Sequence, residues 1–354
     1  MIVLYLLFLF FLGLYSYSQI DLNLTLLQTP WFLSFQNTMI QLGYYQRPLS
    51  TSIFLVLISG LFIFYLRLLK NPPQKLYLLI GGIVAISLLA YPAFSHDFFN
   101  YLFDARIVTL YHQNPYFFKA LDFPTDTWIR FMHWTHRTYP YGPFWLILTL
   151  PVSFLGLGKF ILTALNFKLL FAAFYLGSTL LIKKLSGNRS ALFFATNPVV
   201  VIESLVSPHL DSSMAFFFLL GLYFLVSKKR LFALLAVLAS GGVKFLTWVT
   251  LPLFFGLPIK RVFQFSLALL LVALIPVIWQ REAYPWYFLP PLAVTALLID
   301  DKKIFLLSVA VSLGLMLHYL PFLYFGQEVL FWENLLVVVP ILLCALGLIF
   351  FRRR

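Results

Sequence analysis

The segment Ser95–Gly142 concentrates side chains that can move protons. It holds four of the twelve acidic residues and four of the six histidines of a 354-residue chain. It opens Ser95-His96-Asp97-Phe98-Phe99-Asn100-Tyr101-Leu102-Phe103-Asp104, passes through Asn114-Pro115-Tyr116, and closes Tyr139-Pro140-Tyr141-Gly142-Pro143. On a helix, Asp97 and Asp104 share one face with Tyr101. A carboxylate at the mouth of a cavity is suited to take a proton from a hydroxyl; acids that merely face water are the plainer reading. On the same helix, Phe98, Phe99, Leu102 and Phe103 are expected to lie against a membrane surface.

Further ionisable groups occur where the chain is otherwise apolar. Glu203, His209 and Asp211 follow Asn197-Pro198, with Glu203 inside an apolar run. Lys244 comes just after Gly241-Gly242 and beside Phe245. Charges at membrane depth are costly, so such groups face a cavity or a partner; a structural ion pair between spans is the competing reading for both. His133 and His136, three apart, could hold a metal with Asp97 or Asp211. There is no HExxH and no Cys–His set, so they read as loop histidines at a wet interface, with no metal assigned. Gln280-Arg281-Glu282-Ala283-Tyr284-Pro285-Trp286 is polar and aromatic, and Trp286 and Tyr287 by themselves suit an interfacial belt. No phosphate-cradling glycine motif, Ser–His–Asp order or internal repeat is present.

The elements that must position these groups are membrane helices. The chain is 62% hydrophobic and only 10% charged, with a mean hydropathy of +0.92, whereas a soluble protein carries about 25% charged residues. The fold class expected is an all-α polytopic membrane protein forming one domain over 1–354. Candidate spans are 1–17, 51–69, 76–94, 143–158, 160–182, 191–206, 212–227, 231–257, 262–279, 287–299, 304–325 and 334–351. Met1–Leu14 has no basic leader and no cleavage site, and reads as an uncleaved first span. Cys344 is the only cysteine, which excludes a disulfide framework.

The net charge of +13 does not signal nucleic acid, because the basic residues sit in short clusters between apolar runs: Arg67/Lys70/Lys75, Lys183/Lys184/Arg189, Lys228/Lys229/Arg230, Lys260/Arg261, Lys302/Lys303 and Arg352/Arg353/Arg354. That is the pattern of cytoplasmic anchoring. All six fall on one side if 143–158 dips in and returns and 231–257 is a broken hairpin with its tip near Lys244. Segment 95–142, Ser207–Asp211, Lys244 and 280–286 then share the opposite face. Broken helices at membrane depth line a cavity or are buried.

Taken in order, these motifs resemble those of polyprenyl-phosphate-mannose-dependent mannosyltransferases, which are GT-C membrane glycosyltransferases. The resemblance covers roughly residues 76–290. It rests on Ser95-His96-Asp97, Asn100-Tyr101, Ala105-Arg106, Asn114-Pro115-Tyr116, Tyr139-x-Tyr141-Gly142-Pro143, Asn197-Pro198 with Glu203, His209-x-Asp211, Lys244 and Pro285-Trp286-Tyr287. It implies a GT-C-like bundle of about 11–12 membrane segments with a large non-cytoplasmic first loop. The implied activity is transfer of a sugar, mannose first among candidates, from a lipid phosphate to a glycan or glycolipid, in a multi-pass protein of the plasma membrane.

Asp97 then matches the family's catalytic aspartate, with Asp104 and Asp211 as further catalytic candidates. Tyr101, Asn114, Tyr116, Tyr139, Tyr141, Glu203, His209, Lys244, Arg281, Trp286 and Tyr287 are expected to bind substrate. The partners are the polyprenyl-phosphate donor, the acceptor and membrane lipids. No cofactor is required, although a divalent metal is compatible. A lipid transporter or flippase, or an O-antigen-type polymerase or ligase, are the rival classes. The transporter does not account for the acids and aromatics gathered in the first loop; the polymerase or ligase is the closer rival, but its catalytic loop is expected late in the chain and rich in arginine.

Overall fold

The computed structural model describes residues 1–350; the Arg352/Arg353/Arg354 cluster lies outside the described residues. No strand occurs among the described residues, as expected for a chain whose backbone polar groups must be satisfied within each segment. The helices, in order, are α1 Ile2–Tyr15, α2 Pro30–Ile40, α3 Arg47–Lys70, α4 Leu76–Leu88, α5 Asp97–Thr109, α6 Pro143–Phe154, α7 Phe160–Ser186 and α8 Asn188–Ala195. There follow α9 Pro198–Val201, α10 Asp211–Val226, α11 Arg230–Val243, α12 Ile259–Gln280, α13 Leu289–Thr295, α14 Lys302–Leu317, α15 Tyr319–Phe325 and α16 Leu330–Phe350.

Every candidate span corresponds to helical structure, but they differ in reach. Six segments are long and apolar enough to cross a bilayer: Ile2–Gln19, Arg47–Lys70, Phe160–Ser186, Ile259–Gln280, Lys302–Phe325 and Leu330–Phe350. The remaining expected spans are shorter or broken, and the bent pair Asn188–Ala195 and Pro198–Val206 makes a seventh when taken as one span. α6 has 12 residues with Pro151 inside it; at 1.5 Å per residue it covers about 18 Å, well short of the ~30 Å hydrocarbon core.

Two breaks are local and chemically legible. At Asn197-Pro198 the chain bends by 62°. Proline cannot continue the helical hydrogen bonds, and the Asn197 side chain caps the next segment by accepting from the Val199 N–H at 2.9 Å. A π-helical turn, Ile202–Val206, then carries Glu203. At Lys244 the backbone is extended, after which a 3-10 helix runs from Phe245 to Phe254. The two limbs fold back on each other: Ser240 Oγ and Thr247 Oγ1 are 2.8 Å apart, and Trp248 Nε1 donates to the Leu238 carbonyl at 3.1 Å. This is the hairpin broken near Lys244 that the Gly241-Gly242 pair suggested.

One expectation is corrected. The apolar side of α5 does not lie on a membrane surface. Phe98, Phe99, Leu102 and Phe103 are all buried, with Phe98 against Phe167 and Phe171 of α7 and Phe99 against Phe131 and Phe160. The first loop closes over α5 and makes it an interior helix.

Candidate functional site

The first loop is a strap built from its own motifs. Asn114 Oδ1 accepts from the Tyr116 N–H at 3.0 Å, shaping the Asn-Pro-Tyr turn. The Tyr139 N–H donates to the Pro115 carbonyl at 2.9 Å, and Tyr116 Oη donates to the Tyr141 carbonyl at 3.0 Å. The Tyr116 and Tyr139 rings meet edge to face at 5.0 Å, and Tyr139 Oη donates to Gly142 O. Asn114, Tyr116 and Tyr139 are therefore engaged within the strap itself. Its far end is anchored by Arg106, whose Nε lies 2.6 Å from Asp126 Oδ2 and whose guanidinium sits over the Trp128 ring.

The strap is pinned to the hairpin break by a backbone crossing. The Gly142 N–H donates to the Val243 carbonyl at 3.0 Å. A Cβ on Gly142 would stand 2.0 Å from the Gly242 carbonyl oxygen, so only glycine allows this approach. The crossing sets Tyr141 and Lys244 at one place. Tyr141 Oη reaches Asp97 Oδ2 at 3.4 Å, and the Tyr141 ring meets Tyr101 edge to face.

Asp97 occupies the first turn of α5 and Asp211 the first turn of α10, positions whose unpaired N–H groups favour a carboxylate. Asp97 is partly exposed, with Arg137 Nη2 at 3.6 Å from Oδ1. Asp211 is buried, and Lys244 Nζ lies 3.1 and 3.2 Å from its two carboxylate oxygens. The same ammonium stands 4.4 Å from the centre of the Tyr287 ring. The Tyr287 hydroxyl lies in the field of Asp97, Asp211 and Arg281. Asp97, Tyr101, Tyr141, Asp211, Lys244, Arg281 and Tyr287, drawn from four separate stretches of sequence, thus converge.

Behind them lies a second layer. His209 Nδ1 is 3.0 Å from Glu203 Oε2, and Tyr319 Oη donates to Glu203 Oε1 at 2.8 Å; all three side chains are buried. The His209 ring stacks on Trp286 at 4.0 Å, and Trp286 stacks on Tyr284 at 4.5 Å. Glu203 and His209 therefore reach the site through Trp286. Ser207 joins the same region by accepting from the Phe94 N–H at 3.2 Å.

Asp104 is buried on α5, and burial pushes its carboxyl from 3.8 up to about 8, with Asp97 adding to the rise and Arg137 opposing it. His133 lies 3.3 Å from Asp21 and stacks on His96, not beside Asp97 or Asp211; His136 sits against Trp134. Two sets have the spacing to hold a cation: Asp21, His96 and His133, and Glu282, His318 and Glu333. Sequence reasoning did not single out Arg137, Tyr319 or Asp21. Arg137 and Tyr319 carry no local signal, because their partners lie roughly 40 and 116 positions away in the chain. A surface cleft of about 490 Å³ between Leu24–Leu26, Thr127–Phe131 and the start of α7 contains Arg130 and Lys159 but no carboxylate, so it is not where a proton would be taken up.

The family model described as alpha-(1->6)-mannopyranosyltransferase, N-terminal domain, matches residues 45–260. No curated protein and no solved structure matches the chain. The match spans both breaks, the strap, Asp97, Asp211 and Lys244, and stops before Arg281. With its membrane-length apolar helices and its converging carboxylates, the chain belongs to the alpha-(1->6)-mannopyranosyltransferase family of membrane glycosyltransferases.

Proposed function

We propose that this protein moves mannose from a polyprenyl-phosphate donor to a glycan or glycolipid hydroxyl, with inversion, on the non-cytoplasmic face of the plasma membrane. The observation that carries this reading is the contrast between three carboxylates on two helices. Asp104 is buried, and burial pushes its carboxyl up to about 8, towards the protonated form. Asp211 is engaged by Lys244 through both oxygens. Asp97 alone is partly open to solvent and has only long contacts, to Tyr141 and Arg137. It is the carboxylate with lone pairs to offer an incoming hydroxyl.

In this mechanism the acceptor oxygen attacks the anomeric carbon as its proton passes to Asp97. The bond from that carbon to the phosphate oxygen breaks, and the lipid phosphate leaves with the electron pair. Lys244, aimed by Asp211, and Arg281 are the cations that meet the charge growing on the leaving group. Tyr101, Tyr141, Trp286 and Tyr287 supply flat faces and hydroxyls for the sugar. The lipid phosphate is itself the activating group, so the transfer requires no further cofactor, and no nucleic acid takes part.

The sidedness rests on the basic clusters. They fall on one side if α6 dips into the membrane and returns and the hairpin broken at Lys244 does likewise, and an excess of Lys and Arg marks the cytoplasmic side. On this reading the whole chain acts as one transmembrane domain.

Purified protein in proteoliposomes, given radiolabelled mannose on a polyprenyl phosphate or on a nucleoside diphosphate, decides the donor. Label is expected to move from the lipid donor only. Transfer from the nucleotide sugar alone overturns the reading.

A further inference from the structure

Beyond residue 260, where the family match ends, three ionisable side chains meet in an apolar interior. Glu282 lies in the loop after α12, His318 at the junction of α14 and α15, and Glu333 in the first turn of α16. Their exposures are 5%, 5% and 2%. One ligand atom from each lies within 4.8 Å of the others, with His318 Nε2 3.8 Å from Glu282 Oε2.

The two carboxylates abut, and Glu328 adds a third negative charge nearby. Among the described residues no lysine or arginine pairs with Glu282 or Glu333. Glu333 Oε1 accepts from the Val329 N–H at 3.0 Å, and Tyr284 Oη reaches Glu282 Oε1 at 3.4 Å. Glu333 Oε2 and His318 Nδ1 are buried without any partner. Facing carboxylates in such a place must share a proton or a cation. A neutral imidazole in the set favours a cation of borderline softness over calcium or magnesium.

We propose that Glu282, His318 and Glu333 bind a divalent transition-metal ion of the zinc type. The ion would displace the proton held between the two glutamates. It would tie the 281–288 loop to the start of α16 and to the α14–α15 junction. That loop carries Arg281, Trp286 and Tyr287, and the Tyr284 ring on Trp286 continues the stack to His209. The site is therefore a clamp on one wall of the transfer site and takes no part in bond breaking.

Full-length protein purified without chelator tests this by metal analysis, by the visible absorption of added Co²⁺, and by melting with and without EDTA. One bound equivalent is expected, along with Co²⁺ bands of a nitrogen–oxygen site and a melting temperature that EDTA lowers by several degrees. Glu333→Gln keeps the contact to Val329 and should lose the metal, the bands and the EDTA response; His318→Asn should do the same. His133→Asn, which disables the other possible cluster, should keep all three. Wild type without metal, bands or EDTA response overturns the proposal in favour of a shared proton. Equal loading of Glu333→Gln and wild type also overturns it, as does loss of metal in His133→Asn alone.

Discussion

Lys244 Nζ bridges both carboxylate oxygens of Asp211 at 3.1 and 3.2 Å, joining the tip of a broken hairpin to the first turn of α10. Asp211 is nearly sealed from solvent, whereas about a third of the lysine side chain is exposed. The lysine therefore both neutralises an interior carboxylate and presents positive charge to the site. Lys244→Met should strand the Asp211 charge and lower stability by about 1–3 kcal/mol. Lys244→Met combined with Asp211→Asn should recover most of that stability while transfer stays low. Melting and transfer measured on the same preparations check this. Recovery of transfer in the double variant would make the pair purely structural.

Asp97→Asn retains shape and removes basicity. Turnover should fall by on the order of 10²–10⁴, with donor affinity close to wild type. Single-turnover transfer, with donor binding measured separately, gives the two quantities. Near-normal turnover would move the base to another carboxylate.

Gly142→Ala tests the crossing of the strap and the hairpin. The added methyl meets the Gly242 carbonyl, which is backbone and cannot swing away. Stability should drop by about 1–3 kcal/mol. Transfer should drop too, because Tyr141 and Lys244 are positioned by that contact. A variant with unchanged melting and activity would mean that the strap does not depend on this approach.

Asp104 makes stability depend on pH. Its carboxyl is raised from 3.8 to about 8 in the fold, so the folded state holds a proton that the unfolded chain releases. The stabilising contribution is complete below the unfolded value and is lost as pH rises through the folded one. Wild type should lose melting temperature between about pH 5 and about pH 8, and Asp104→Asn should flatten that slope. Parallel pH–melting curves for the two proteins would exclude the assignment.

Sidedness can be read by labelling. In a Cys344→Ala background, Leu121→Cys on the exposed face of the strap and Lys229→Cys in a basic cluster should respond oppositely to an impermeant thiol reagent added outside intact cells. Leu121→Cys should react at once and Lys229→Cys only after the membrane is opened. The reverse pattern would invert the proposed orientation.

The sequence by itself determined the membrane class, the order of the apolar helices, the break at Lys244 and the motifs of the first loop. These follow from composition, apolar run length, paired glycines and turn chemistry, all of which act over a few residues. It also pointed to Asp97, because a carboxylate that begins a helix just beyond an apolar run is visible locally. Tertiary structure alone decided which partners those groups meet. That Lys244 takes Asp211, that Glu203 is held by Tyr319 and His209, and that Glu282 faces Glu333 each depends on contacts between distant segments. The burial of α5 was hidden for the same reason: its phenylalanines suit lipid and protein equally, and only the strap and α7 closing around them settled which they meet.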